Sequence, residues 1–328
     1  MAIHKLVPPV PVGLASPRLP KVSIGVPVYN GEAYIEVALR SLLAQTFEDL
    51  EIVISDNAST DATEEICRRI MAEDARIRYD RAPANRGLVW NHRRVLQMAV
   101  GEYFMFAPHD DWFAPEYVER AAQALDSDPE VTFAYAVTVL VDAQGLEIGR
   151  ERTRQRLQDP SPSTRFWDVL TVQGGINWYG LTRRRLMERI GQYEALPRSE
   201  RVVIAELSLW GPFVLLPAGL YYRRIHEGQA TALRRDRRAE LQRLDPAKAD
   251  GWRATTPAML AGYVLLFAGA VARAPMSVRE RVRAFLLIGR WILAKLPPFR
   301  LSDPRTLDVE IERTGEGKLP SGRDNIGY

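Results

Sequence analysis

The sequence predicts an α/β protein: a parallel sheet flanked by helices, followed by a helical C-terminal extension. Three observations predict it. Short apolar runs alternate with helical-period segments in the order β-α-β-α-β-α-β over residues 22–107, the sign of a parallel sheet covered by helices. Each apolar run ends in a polar loop, and right-handed crossovers bring those ends to one edge. Beyond Ala230 the pattern changes to charged and apolar helical segments. The expected division is a tail over 1–20, an α/β domain over 21–230 and a helical extension with a polar tail over 231–328.

Taken in order, Val22–Val28 reads as a strand buried on both faces and opens into the turn Tyr29-Asn30-Gly31-Glu32. Tyr34, Ile35, Ala38, Leu39, Leu42 and Leu43 then recur at helical spacing. Leu50–Ser55 is a second strand, ending in Asp56-Asn57-Ala58-Ser59-Thr60-Asp61. Asp61 and Glu64 resemble a capping pair for a helix over 62–71. Ile77–Arg81 is a short third strand, Asn85-Arg86-Gly87 a turn, and 88–99 a helix. Tyr103–Ala107 is the fourth strand and stops abruptly at His109-Asp110-Asp111; Pro115 suits the first turn of the next helix, over 115–126. A long strand, 131–141, turns at Asp142–Gly145. Arg150–Ser163 reads as a polar, solvated stretch; a helix begins near Trp167; 174–180 is an irregular loop. Arg198–Arg201 precedes an apolar helix, 202–210, and 215–226 reads as a strand leaving the core.

Composition bounds the function. The chain has 328 residues, is 46% hydrophobic and 26% charged, and carries a net charge of +3, so it can bury a sizeable core and gives no reason to expect a nucleic-acid partner. The single cysteine, Cys67, cannot form an internal disulfide and reads as a small buried residue. Met1–Pro20 contains no continuous apolar run of the kind that directs secretion. The expected location is cytoplasmic, with peripheral contact at the inner membrane face left open. No dinucleotide fingerprint, P-loop, nucleophile elbow or Cys/His zinc cluster occurs, and four histidines in all exclude a His-rich site.

Chemistry gathers on the edge where the parallel strands end, the edge that binds ligands in open α/β sheets. Tyr29–Gly31, Asp56, Asn85–Gly87 and His109–Asp111 follow successive strands. Each alone could be a turn or a helix cap; four on one rim are harder to explain as punctuation. Asp110 and Asp111 are adjacent carboxylates at a strand end. Such a pair is either a solvated cap or a site for a hard divalent cation, magnesium or manganese.

These residues resemble the inverting family 2 glycosyltransferases of GT-A fold, a Rossmann-like mixed sheet that binds nucleotide-diphospho-sugars. The resemblance lies in Val22–Glu32, Ser41–Phe47, Asp56–Asp61, Asn85–Gly87, and Gly101-Glu102-Tyr103 followed by His109–Asp111, and covers roughly the first 230 residues. It implies a nucleoside diphosphate sugar as donor, a carbohydrate or lipid-linked acceptor, a divalent metal, and a place in surface polysaccharide or glycolipid assembly. By position, Pro27 and Tyr29 flank the donor's nucleobase and Asp56 accepts a hydrogen bond from it. Asn85 and Arg86 join the donor-binding set. Asp111 binds the metal and Asp110 sits near ribose or metal; His109 stands where the family often has its first Asp, a departure that leaves the ligand set open. Glu200 matches the acid that acts as base, with Ser199 replacing its usual acidic neighbour and Glu206 as the rival. His226 fits a metal-ligand position, with Arg223 or Arg224 near the phosphates. Trp178 and Tyr179 either stack on a sugar or pack under a loop.

In the C-terminal hundred residues, Arg234–Arg243 reads as a charged helix and Pro257–Ala272 as an apolar one too short to span a bilayer. Ser277–Lys295 alternates arginines with apolar residues. That pattern suits a basic amphipathic helix on an anionic membrane surface, or helices packed on the catalytic domain or on a second subunit, as in a homo-oligomer. Two other functional readings stand beside the transferase: a nucleotidyltransferase, and a catalytically silent sugar- or nucleotide-binding partner at a membrane.

Overall fold

The computed structural model describes residues 18–152, 156–171, 178–190, 194–226, 237–248, 255–295 and 310–312. Its centre is the expected parallel sheet: β1 (Val22–Val28), β2 (Leu50–Asp56), β3 (Ile77–Arg81) and β4 (Tyr103–Phe106) lie in the order β4-β1-β2-β3. Val22 pairs with Leu50 on one side and Tyr103 on the other, and Asp56 pairs with Arg81. Helices cover both faces, so β1 and β2 are buried along nearly their whole length, and the polar Ser23 and Glu51 within them pair at 2.6 Å. α1 (Ile35–Leu43), α2 (Thr63–Glu73) and α4 (Tyr117–Ser127) bury Leu39, Leu42, Ile70, Val118 and Leu125 on one face. α3 (Leu88–Met98), α5 (Pro162–Thr171) and α7 (Glu200–Trp210) bury Val95, Phe166, Leu170 and Val203 on the other. β4 feeds both: Tyr103 and Met105 enter the first core, Phe104 and Phe106 the second.

The sheet continues past β4 through β8 (Leu181–Arg183), antiparallel, to β6 (Phe133–Val141). Two antiparallel steps make β6 parallel to β4. β9 (Phe213–Arg224) runs parallel to β6 along its whole length, with two register shifts. So the expectation of a strand leaving the core is corrected: β9 is built into the sheet and returns to the ligand edge, where it pairs with β5 (Trp112–Phe113). A short helix, α6 (Arg184–Arg189), follows β8.

The stretch read as polar and solvated is also corrected. β7 (Glu147–Arg152) pairs with β6, and Glu151 is buried. Charged residues can line this strand because they pair: Arg150 with Glu147 at 2.8 Å and Arg223 with Glu151 at 3.3 Å. Leu157 is buried as well and its carbonyl accepts from the Phe213 amide. α5 starts at Pro162, before Trp167. Within the expected polar tail, β10 (Glu310–Glu312) adds a strand beside β7. The expected N-terminal tail lies almost wholly outside the described residues, as do 174–177 of the expected loop.

The C-terminal segments form α8 (Arg237–Leu244), α9 (Thr256–Arg273) and α10 (Val278–Lys295). Phe267, Ala270, Val271, Ala284, Ile288 and Trp291 join the second core beside α5 and α7, so one face of these helices packs on the α/β body. Among the described residues no helix is long and apolar enough to cross a membrane.

Candidate functional site

The four loops at the carboxyl ends of β1–β4 are laced into one rim. Asn91, a polar residue on the buried face of α3, donates to the carbonyls of Val28 and Ser55 (3.1 and 2.9 Å) and accepts from the Ser55 hydroxyl at 2.6 Å. It ties the ends of β1 and β2 together. Asn30, at φ 51°, donates its amide to Ser59 Oγ and accepts from the Thr60 amide. Asn57 donates to Asn85 and accepts from the Arg86 amide (2.9 and 3.0 Å), which joins the second loop to the third. Gly87, at φ 87°, a conformation that favours glycine, then starts α3.

Asp56 is fully buried. One carboxylate oxygen accepts from the Ser59 amide (2.8 Å) and the other from the Tyr79 hydroxyl (2.7 Å). Tyr29, by contrast, is 43% exposed at the lip of the rim, beside half-buried Pro27. Arg86 lies 4.7 Å over the Trp90 ring.

The fourth loop separates the two carboxylates. Asp110 Oδ2 lies 3.2 Å from His226 Nε2. Asp111 turns inward: it is 5% exposed and accepts from the Tyr221 hydroxyl and, at 2.8 Å, from the Arg224 amide. Burial, then the charge of Asp110, pushes the Asp111 carboxyl up. Burial works the same way on Asp110, but His109 and His226 overcome it and hold that carboxyl below its ordinary range. So the anion of this loop resides on Asp110. His109 packs over Gly31, where an added Cβ would stand 2.9 Å from its ring.

β9 supplies the floor. The Arg224 guanidinium lies between the Tyr34 and Trp112 rings, 4.5 and 4.8 Å away. Its Nε donates to the Asp110 carbonyl and its Nη1 to the Ala143 carbonyl. His226 sits 4.8 Å from the Tyr34 ring. Arg224 therefore reaches the rim, with these donors engaged by the chain itself.

Glu200 comes from a separate element. The C-terminal end of α7 is bound at the start of β6, where Thr132 Oγ1 donates to the Leu207 carbonyl at 3.2 Å. That is the amino edge of the sheet, so α7 points its N-terminus, with half-buried Glu200 in its first turn, towards the ligand rim. Its rival Glu206 is fully buried and held by Arg273 through two hydrogen bonds of 2.9 and 2.7 Å. That pair joins α7 to α9. Trp178 stacks on His92 at 5.2 Å and meets Phe106, and Tyr179 packs near Tyr221, so both are core aromatics in this arrangement. Burial pushes the Cys67 thiol up to about 12, as a small core residue.

The structure thus gathers Pro27, Tyr29, Asp56, Asn85, Arg86, His109, Asp110, Asp111, Arg224 and His226 on one rim. Sequence reasoning missed Asn91, Tyr34 and Tyr221. Asn91 was open to detection, because an amide on the apolar side of a helix needs buried partners. Among the described residues no three acidic, histidine or cysteine side chains converge as a metal cage.

This sheet order, with β9 returning to the rim, is the GT-A architecture of the glycosyltransferases. The family model for glycosyl transferase family 2 matches residues 23–191, and the chain belongs to that family. Glycosyltransferase GlyA of Streptococcus pneumoniae is 39% identical over 99 residues, 30% of this chain and 14% of that protein. The GalNAc(5)-diNAcBac-PP-undecaprenol beta-1,3-glucosyltransferase of Campylobacter jejuni is 26% identical over 215 residues, 65% of this chain and 68% of that protein. The chain spans less than half the length of the first three curated relatives it matches. Among solved structures, S. aureus TarS 1-349 in complex with UDP-GlcNAc superposes with a TM-score of 0.60 at 19% identity, over 88% of this chain and 76% of that one, a likeness of fold. The family assignment sets the nucleotidyltransferase reading aside.

Proposed function

We propose that the protein moves one sugar from a nucleoside diphosphate sugar to an acceptor hydroxyl by a single inverting displacement. The observation that carries this is the Asp110–His226 pair, 3.2 Å apart, on a rim built from all four parallel-strand loops. The C. jejuni relative's name supports a lipid-linked acceptor, and with it a role in surface polysaccharide or glycolipid assembly.

The residues fit a divalent ion of one kind: an ion completed by diphosphate oxygens and water, for which one or two protein ligands suffice. Asp110 stays anionic and His226 stands beside it, so these two would hold the ion. Asp111, engaged by Tyr221 and Arg224, would instead shape the loop. His109 and Arg224 line the same place. When bound, magnesium or manganese offsets the charge that develops on the leaving diphosphate.

Tyr29 and Pro27 would flank the nucleobase. Asp56 keeps lone pairs beyond its two internal bonds, enough to accept one N–H from that base. Asn85 and Arg86 would border the donor. The acceptor oxygen attacks the anomeric carbon, the bond from that carbon to the phosphate oxygen breaks, and the acceptor's proton passes to the Glu200 carboxylate. The nucleoside diphosphate leaves from the opposite face.

Release of nucleoside diphosphate from a panel of nucleotide-sugars tests this reading. Turnover of one donor with manganese, stopped by chelator, is expected. Glu200→Gln should lower kcat by about 10²–10⁴ while leaving nucleotide binding unchanged. Full activity in Glu200→Gln would remove Glu200 from its role.

A further inference from the structure

α10 has three faces. Ala284, Ile288 and Trp291 are buried against α5 and α9. On the opposite side Val278, Val282, Phe285, Leu286 and Leu293 are 79, 54, 43, 70 and 54% exposed. Their spacing, with Gly289 between, is one continuous stripe on a helix of 3.6 residues per turn. Five of the ten large apolar side chains exposed among the described residues are on this one helix. Arg279, Arg283 and Arg290 fall in the third sector, along one flank of the stripe.

The arginines of this region are of two kinds. Arg281 is a structural cap: it donates to the Val271 and Ala274 carbonyls at the end of α9 (2.7 and 3.0 Å). Arg279, Arg283 and Arg290 are exposed; Arg283 is 3.9 Å from Glu280 and Arg290 lies over the Trp167 ring. Glu280 is the helix's single acid, and it turns inward to accept from Ser161 and Ser163. The outward side of α10 is therefore apolar and cationic, with no carboxylate to oppose an anionic surface.

We propose that this face of α10 docks the protein on an anionic lipid bilayer, with the apolar stripe entering the headgroup boundary and the three arginines meeting lipid phosphates. A helix with an apolar face and a basic margin lies in such an interface. A second copy of the chain is the poorer occupant: stable protein contacts take about 20–30 residues a side, and a row of three arginines would face its own like charges across a self-contact. The placement suits a lipid-linked acceptor, a point that rests on the function proposed above. Trp291 packs on Tyr263, whose hydroxyl donates to the Pro197 carbonyl, three residues before Glu200. The Leu293 end of the stripe thus lies towards the catalytic rim.

Flotation with vesicles tests the docking without any turnover, so it can fail while the sugar-transfer reading stands. The full chain is mixed at low salt with vesicles of phosphatidylcholine alone or with about a third phosphatidylglycerol. The expected result is flotation with the anionic vesicles only, weakened by salt. Leu286→Glu with Val282→Glu should abolish it. Arg279→Gln with Arg283→Gln should weaken it roughly 25-fold, about fivefold per arginine lost near the surface. Circular dichroism melting should be unchanged in both, because all four side chains are exposed. No flotation of the unaltered chain with anionic vesicles overturns the proposal, as does equal flotation with neutral ones. So does a wild-type dimer, seen by sedimentation, that Leu286→Glu dissociates while lipid binding stays absent.

Discussion

Asp110 and Asp111 are neighbours in sequence with opposite surroundings. Asp110 faces two histidines and keeps its charge; Asp111 faces a hydroxyl and an amide inside the fold. Asp110→Asn is therefore expected to remove metal-dependent nucleotide binding while melting like the parent. Asp111→Ala should strand the Tyr221 hydroxyl and the Arg224 amide, lowering the unfolding free energy by about 2–4 kcal/mol, measured by urea titration. The resemblance placed both acids on the rim, with Asp111, His226 and His109 at the metal and Asp110 near ribose or metal; which way each acid turns depends on β9, far along the chain. The resemblance pointed to Glu200 with Glu206 as the rival, and the hydrogen bonds from Arg273 to Glu206 favour Glu200 as the proposed base. His92 gives a residue-scale test of stability. It is buried against Phe106 and Trp178, and burial lowers its pKa to about 4 despite its contact with the Leu88 carbonyl; Arg243 and His109 lower it slightly further. An unfolded histidine titrates near 6.5, so the neutral ring contributes its full stability above that pH. The contribution is lost as pH falls from about 6.5 towards 4, up to about 3 kcal/mol in all. His92→Gln should flatten that part of the stability profile.

At the scale of elements, the parallel core was legible because its signals are local. β1 and β2 are short, mostly apolar runs that end in polar loops, and α1 carries a clean helical period. β7 and β10 were not legible: their residues are charged, and their place in the sheet comes from pairing with β6 and with each other. Propensity does not register β7, whose Arg150 and Glu151 pair with Glu147 and Arg223. The end of β9 was visible as a Tyr-Tyr-Arg-Arg run, but its parallel pairing with β6 was not. In the proposed mechanism α7 has two tasks. Its first turn presents Glu200 to the rim, and its middle is fixed to α9 by Glu206 and Arg273. Glu206→Gln should lower the unfolding free energy by about 2 kcal/mol, less than a wholly buried pair because Arg273 is half exposed. It should leave kcat for sugar transfer unchanged at temperatures where the fold persists. A fall in kcat as large as that of Glu200→Gln would reverse the two assignments.

For the whole molecule, α9 and α10 complete the second core while α8 packs Leu241 and Leu244 beside Val89, and the outer face of α10 remains apolar and basic. The resemblance in the first 230 residues correctly gave the family and the fold; it could not give the packing of α9 and α10, which depends on side-chain fit to α5 and α7. We propose that the rim binds a nucleoside diphosphate sugar through Asp110, His226 and a divalent ion. Thermal unfolding against a panel of nucleoside diphosphates and their sugars, with manganese or with chelator, tests it most directly. One nucleotide should stabilise the protein, by about 2.7 kcal/mol at a hundred times its dissociation constant, and the effect should vanish with chelator and in Asp110→Asn. Stabilisation that persists in Asp110→Asn, or no stabilisation by any nucleotide, would contradict the account.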